Sequence, residues 1–395
     1  MFRVDPAILR APHRPFFLLG TAALILAMAA WLLQLVHPRS LPAPPGWLHG
    51  WLMAFGALGP FISGFLFTAY SRWLGASPPG PACWRFSLVL QVLGLVALGL
   101  GAAAPGTWTI VAALALGAGW SLVLGHLLRA LNDGQGATLH AGAMIGAVTL
   151  GLVALGLMLG WGMSGHGAWA GASLAVTQWG FLLGVYLVVT HRMLPFFAGC
   201  VLDPYRPYRP AWVLLLALGL AAAHLVGVLL KRPDWLWLAD GPLCALTAWL
   251  AWKWQAWRAG SRRLLAALFV AWAGLFVGTA ALTAQSLFFH LTGAWVGGRG
   301  PDHLVTIGFF GAMVIAMATR VTLGHSGRKL EMGALAWWAL WGVVAAATGR
   351  GLAEVLPGRE HWLVLSAVLW LLAAGAWAVR YAPMLWRPRV DGKPG

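Results

Sequence analysis

Charged residues are scarce in this chain. They make up 9% of its 395 residues, and only ten are acidic. A water-soluble domain carries about 25% charged residues, so composition alone excludes one. No polar stretch between the apolar runs is long enough to hold a soluble domain either. Cysteine is equally sparse. Cys83, Cys200 and Cys244 form no CxxC pair, which argues against a disulfide framework and leaves each as a small buried hydrophobe. There is no Walker loop, no Rossmann fingerprint and no Ser-His-Asp order. Adjacent or one-turn-spaced histidines on one span, the pattern of a haem-copper oxidase, are missing too, since even the closest pair of histidines stands about a dozen residues apart.

Apolar residues fill the space that charge leaves. They make up 60% of the chain, and mean hydropathy is +0.78. About twelve apolar runs of roughly 20 residues are each long enough to cross a bilayer as a helix. They cover residues 16–36, 47–70, 85–104, 107–128, 138–161, 170–190, 211–230, 235–252, 264–290, 302–323, 333–354 and 362–381. Turn material separates them, as in HPRSLPAPPG, DPYRPYRP and GGRGPD. This pattern predicts an all-α polytopic membrane protein. It would be a single integral membrane domain over residues 1–395, with short basic tails at both ends. No small-residue cleavage site follows the first run, so it is expected to span rather than to be removed. Among the 26 tryptophans, Trp47, Trp51, Trp73, Trp235 and Trp362 fall near span ends, where amphipathic rings favour the membrane interface.

The net charge of +16 does not point to nucleic acid, because the basic residues are spread one to four per loop with no stripe. With the N-terminus inside, about 20 of the 26 Lys and Arg fall on the cytoplasmic side. That asymmetry predicts both termini in the cytoplasm and an even number of spans. No internal repeat is visible, although six-plus-six halves would suit a carrier.

This topology sorts the histidines into two layers. His49, His290, His303 and His361 lie at outer span ends, with His224 deeper in its span. His126, His140, His191 and His325 lie at inner ends, joined by Arg192 and Arg320. His13, His37 and His166 fall in flanks or loops and are expected to be solvated. Neutral imidazole is a common metal ligand, and haem iron is often held by histidines from two helices of a bundle. His290 and His303 flank one short loop and could share a site with His49. Arg320 and Arg72 are candidate partners for haem propionates or another anion. Equally, a histidine at a span end is often only an interfacial polar residue. Asp240 and Glu354 are the acidic candidates at membrane depth, as proton carriers or arginine partners. Arg350 and Glu354, four apart, should pair along one helix face.

The run PDHLVTIGFFGAMVIAMATRVTLGHSGRKL, residues 301–330, places His303 and His325 roughly 33 Å apart along a helix, near opposite membrane faces. Its His, Gly-rich apolar run and TR–LGH–GR ending resemble the NnrS family of bacterial multi-pass membrane proteins. WLHGWLMAFGALGPFISGFLFTAYSRWLG in the second span resembles the family's His-containing helix, and HRMLPFFAGCVL after the sixth resembles its R–IP–F segment. The chain departs from the family at Trp51 and Leu52, where a second histidine and an acid often stand, so a metal site needing both histidines would be incomplete here. The resemblance implies an inner-membrane protein of nitric oxide metabolism, linked to denitrification and nitrosative stress. It would carry one or two b-type haems, with copper as a further cofactor of the family, and His49 and His303 survive as ligands. Nitric oxide would be the small-molecule ligand, and the activity nitric oxide reduction. The alternatives are a non-enzymatic haem or copper protein that binds nitric oxide or transfers electrons, and a twelve-helix secondary carrier.

Overall fold

The structure is a computed structural model and describes residues 6–393. Among these residues it is helical throughout, without strands. Twelve long helices follow the twelve apolar runs: α1 His13–Val36, α2 Pro45–Leu74, α3 Pro81–Leu100, α4 Pro105–Asp133, α5 Thr138–Ser164, α6 Gly167–Gly199, α7 Ala211–Leu229, α8 Trp237–Lys253, α9 Arg263–Thr292, α10 Gly300–His325, α11 Ala334–Leu352 and α12 Arg359–Trp386. Ten are long and apolar enough to cross a membrane by length and composition. The other two are α8, only 17 residues long with Asp240 in its first turn, and α11, whose last turn carries Arg350. Leu26, Phe86, Leu291 and Val379 are among many large apolar side chains left exposed, as lipid-facing surface would be.

Three helices differ from the rest. In α2, α6 and α10, 72%, 78% and 72% of the most apolar stretch is buried, against 33% to 56% in the other seven candidate spans. These three also contain the π-helical segments: Leu52–Leu58 and Leu66–Tyr70 in α2, Val176–Leu182 in α6, and Thr306–Gly311 in α10. They are the second, sixth and tenth helices of the chain, so the irregularity recurs every four helices rather than every six. A matching sequence echo is present. Gly180-Phe181 in α6 and Gly308-Phe309 in α10 are each followed twelve residues after the glycine by an arginine, Arg192 or Arg320.

The chain divides into two compact units. Unit 1 runs to Leu182 and adds Thr322–Arg328 and the residues from Ala378 onward; unit 2 holds the remainder. Within unit 1, α1 lies close against α2 at Gly20 and Gly64, where a Cβ would meet Phe61 and Phe16. Gln91 of α3 donates to Ser63 of α2 at 3.0 Å and to Ser87 at 3.2 Å, and Ser87 donates to the Gly119 carbonyl of α4 at 2.9 Å. Such polar links and small-residue contacts hold helices together where lipid removes the hydrophobic drive. The π-segments turn Phe55 and Phe181 into a stacked pair 5.7 Å apart, with Trp120 edge-on to Phe181.

Within unit 2, α9 and α10 meet backbone to backbone. A Cβ on Gly274 would collide with the Gly308 carbonyl, and one on Gly278 with Val305. The α10 π-segment presents Phe309 and Phe310 to Tyr186, and Phe309 to Trp272. Trp272 donates to the Thr247 carbonyl of α8 at 2.9 Å, and Trp377 of α12 to Thr319 of α10 at 2.8 Å.

Candidate functional site

His49 and His303 occupy the same local position. Each stands three residues ahead of a π-helical segment, His49 before Leu52–Leu58 and His303 before Thr306–Gly311. A π-turn inserts one residue into the helical ladder and rotates everything on one side of it, which is why such turns gather at functional sites. The α6 position in the same register is Ser173, three ahead of Val176. His303 is half-buried, and its Nδ1–H donates to the Arg299 carbonyl one turn earlier, 2.8 Å away. A carbonyl can only accept, so the tautomer is fixed and Nε2 carries the lone pair. Metal-binding histidines commonly show that arrangement. His49 is half-buried, with its ring stacked on Trp31 at 4.4 Å.

Trp51 is not an interfacial ring, contrary to its position near a span end. It is fully buried, and its indole N–H donates to Ser173 Oγ at 3.0 Å, which in turn donates to the Ala154 carbonyl of α5 at 2.8 Å. In place of a second histidine, the chain has a hydrogen-bonded post joining α2, α6 and α5.

The remaining candidates scatter. His290 is exposed and faces Trp237 at 6.0 Å. His224 is buried in α7, and its Nδ1 is 2.7 Å from Asp240 Oδ1 of α8, an imidazole–carboxylate pair closed off from solvent whose Oδ2 has no partner. His140 and His191 are buried near helix ends, His191 with a hydrogen bond to the Pro210 backbone. Arg320 lies over the face of Phe197 at 3.8 Å, and Arg72 is exposed. Arg350 pairs with Glu354 at 2.7 Å as the spacing predicts, and Arg359 joins from the other side at 3.3 Å. Among the described residues, no three His, Cys, Asp or Glu side chains gather to hold a metal ion.

Further corrections concern side chains expected at the surface or in the core. His37 and His166 are exposed, but His13 is 1% exposed and its ring lies 4.3 Å from that of His325. Only Pro15, a first-turn helix residue, could have signalled that His13 begins α1 rather than belonging to a loose flank. His126 is likewise held inside unit 1, with Nε2 3.3 Å from Ser71 Oγ. The cysteines are free but not buried: Cys200 is exposed, and Cys83 and Cys244 are intermediate.

A cavity of about 530 Å³ opens beside the first turn of α10. Val277, Ala284, Gly300, Leu304 and Gly351 are among its mainly apolar lining, and no histidine lines it. Gln285, also in the lining, donates to the Val296 and Gly298 carbonyls at 2.6 and 2.9 Å.

The family model for the NnrS protein matches residues 7–389, nearly the whole chain, and the protein belongs to that family. No curated protein matches it.

Proposed function

We propose that this NnrS-family membrane protein binds haem through histidine, with His49 of α2 in unit 1 and His303 of α10 in unit 2 each a ligand candidate in its own unit, and that it acts on nitric oxide in the bacterial inner membrane. The observation that carries the reading is the shared register of His49 and His303, each three residues ahead of a π-turn in one of the three most buried helices. The donor chemistry fits haem. His303 has its tautomer set by the Arg299 carbonyl, and His49 has its ring plane set by Trp31. It does not fit copper, since Trp51 and Leu52 replace the family's second histidine and acid, and no three-ligand group stands among the described residues.

Haem iron, when bound, would supply the centre at which nitric oxide coordinates and accepts electrons. The chain's own contribution is to orient the imidazoles and keep water away. The apolar cavity beside α10 offers a small, lipid-soluble diatomic a way in without a polar channel. The buried His224–Asp240 pair is suited to hold a proton for the reduction, since Asp/His pairs at membrane depth mark proton paths. Both termini are assigned to the cytoplasm by the lysine and arginine bias. A secondary carrier built from two six-helix halves is disfavoured, because its irregular helices would recur at matching places in the two halves, whereas these recur every four.

The test is an optical spectrum of the purified protein, oxidised, reduced, and reduced with nitric oxide. A b-type spectrum that shifts with nitric oxide supports the reading and justifies turnover assays. A haem spectrum blind to nitric oxide would replace it with a closed electron-transfer site. Protein free of haem, from cells able to supply it, would remove it.

A further inference from the structure

We propose that unit 1 carries a binding site for the phosphate group of an anionic phospholipid, where α1 begins and α10 ends. The inference is independent of the haem reading. Three segments far apart in the chain meet there: the start of α1, the end of α10 and the tail after α12. The His13 and His325 rings are 4.3 Å apart and tilted at 48°. Arg14 beside them is 1% exposed. Arg14 and Arg72 stand near enough to act electrostatically on both rings, and Arg389 on that of His325.

What the cluster lacks is an acceptor. Arg14 donates through Nη1 to the Leu385 and Arg387 carbonyls at 3.3 and 2.8 Å, but its Nε–H is buried without a partner. Nδ1 of His13 is buried without one as well, and so is Nη1 of Arg328, three residues beyond His325. Guanidinium nitrogens can only donate, so those of Arg14 and Arg328 lack an oxygen acceptor, and His13 Nδ1 can join them in the tautomer that protonates it. The nearby carboxylate, Asp391, is already engaged by Arg389. Among the described residues, no carboxylate acts on either imidazole.

Unmet buried donors inside a cationic cluster select an anion and reject a metal cation. Guanidinium donors in a cationic cluster match the oxygens of a phosphate group. The lysine and arginine bias places this end of the helices at the cytoplasmic face, where basic pockets between helices take anionic headgroups. Leu26 on α1 and Val379 on α12, both exposed, give the acyl chains apolar surface on the same two helices.

The full-length protein in mild detergent would be titrated with short-chain phosphatidylglycerol, short-chain phosphatidylcholine and inorganic phosphate, following melting temperature and, by native mass spectrometry, retained lipid. Phosphatidylglycerol should raise the melting temperature and stay bound, and phosphatidylcholine should do neither. Arg72→Gln, at an exposed position that leaves packing alone, should weaken the phosphatidylglycerol response about tenfold (one lost charged contact of 1.4 kcal/mol), and His13→Phe should do the same. Inorganic phosphate acting as strongly as phosphatidylglycerol would overturn the lipid as the source. Equal responses to the two lipids, or unchanged phosphatidylglycerol binding by Arg72→Gln, would overturn the site. Loss of haem from Arg72→Gln with lipid binding intact would also overturn it, in favour of a propionate contact.

Discussion

The two ends of α10 each present a histidine, and the two rings are prepared for different work. At the start, His303 is half-buried, and its own helix fixes its tautomer through the Arg299 carbonyl. At the end, His325 lies against a second imidazole among Arg14, Arg72 and Arg389, with the chain's tail folded over it. The first arrangement offers a lone pair and suits a metal centre. The second offers donors and positive charge and suits an anion. Residue type alone therefore says little about a histidine's role; the neighbours that use up its other nitrogen and set the local charge say most.

Several substitutions would break or sharpen this contrast. The largest effect is expected at the start of α10. His303→Ala should lower haem per protein at least tenfold, measured as pyridine haemochrome, while His325→Ala should lower it much less. Equal losses would end the distinction between the two ends. At the other end of α10, Arg14→Ala removes a charged donor from two carbonyls at the close of α12. Hydrogen bonds to charged groups are worth about 1.5–3 kcal/mol, so the variant should melt earlier with its haem stoichiometry retained. Gly274→Val drives a side chain into the Gly308 carbonyl beside the α10 π-turn. Overpacking of this kind costs about 1–3 kcal/mol, and Gly274→Ala should cost less, both read by thermal unfolding. Trp51→Phe keeps the ring but loses the bond to Ser173, for about 1 kcal/mol, and should leave haem content unchanged if Trp51 is a structural post.

The smallest effect concerns the tail. Arg389, by hydrogen bond, holds the Asp391 carboxyl well below the usual aspartate range. A depressed carboxylate contributes stability above its unfolded pKa and loses it as pH falls through the folded one. Docking of the tail should therefore weaken only in strong acid. Hydrogen exchange at the Val390 amide, bonded to the Ser326 carbonyl at 3.1 Å, would show it, and loss of protection near neutral pH would count against this account.

Much of the fold was legible because apolar length is read directly in a bilayer. The helix bounds follow the apolar runs, and the pairing of Arg350 with Glu354 follows from helical spacing. The candidate site was legible only in its residue types. His303 and His49 stood out as histidines at span ends, but nothing in one dimension marked the π-turns beside them, because Gly, Ala and Phe in LMAFGAL or TIGFFG suit an ordinary membrane helix equally well. Trp51 was read as an interfacial ring from its place near a span end, and His13 as a solvated residue of the flank, and both are buried because another helix covers them.

Sequence by itself determined that this is an all-α polytopic membrane protein and a member of its family, since hydropathy and motif spacing are local properties. It also set the stock of twelve histidines and the basic bias of one side. Tertiary structure alone decided that α2, α6 and α10 form the buried helices, that Trp51 is a post and not a gap, and that His13 meets His325 across more than three hundred residues of chain. The physical reason is that a membrane helix is apolar on every side, so its sequence carries little record of which face meets lipid and which meets another helix.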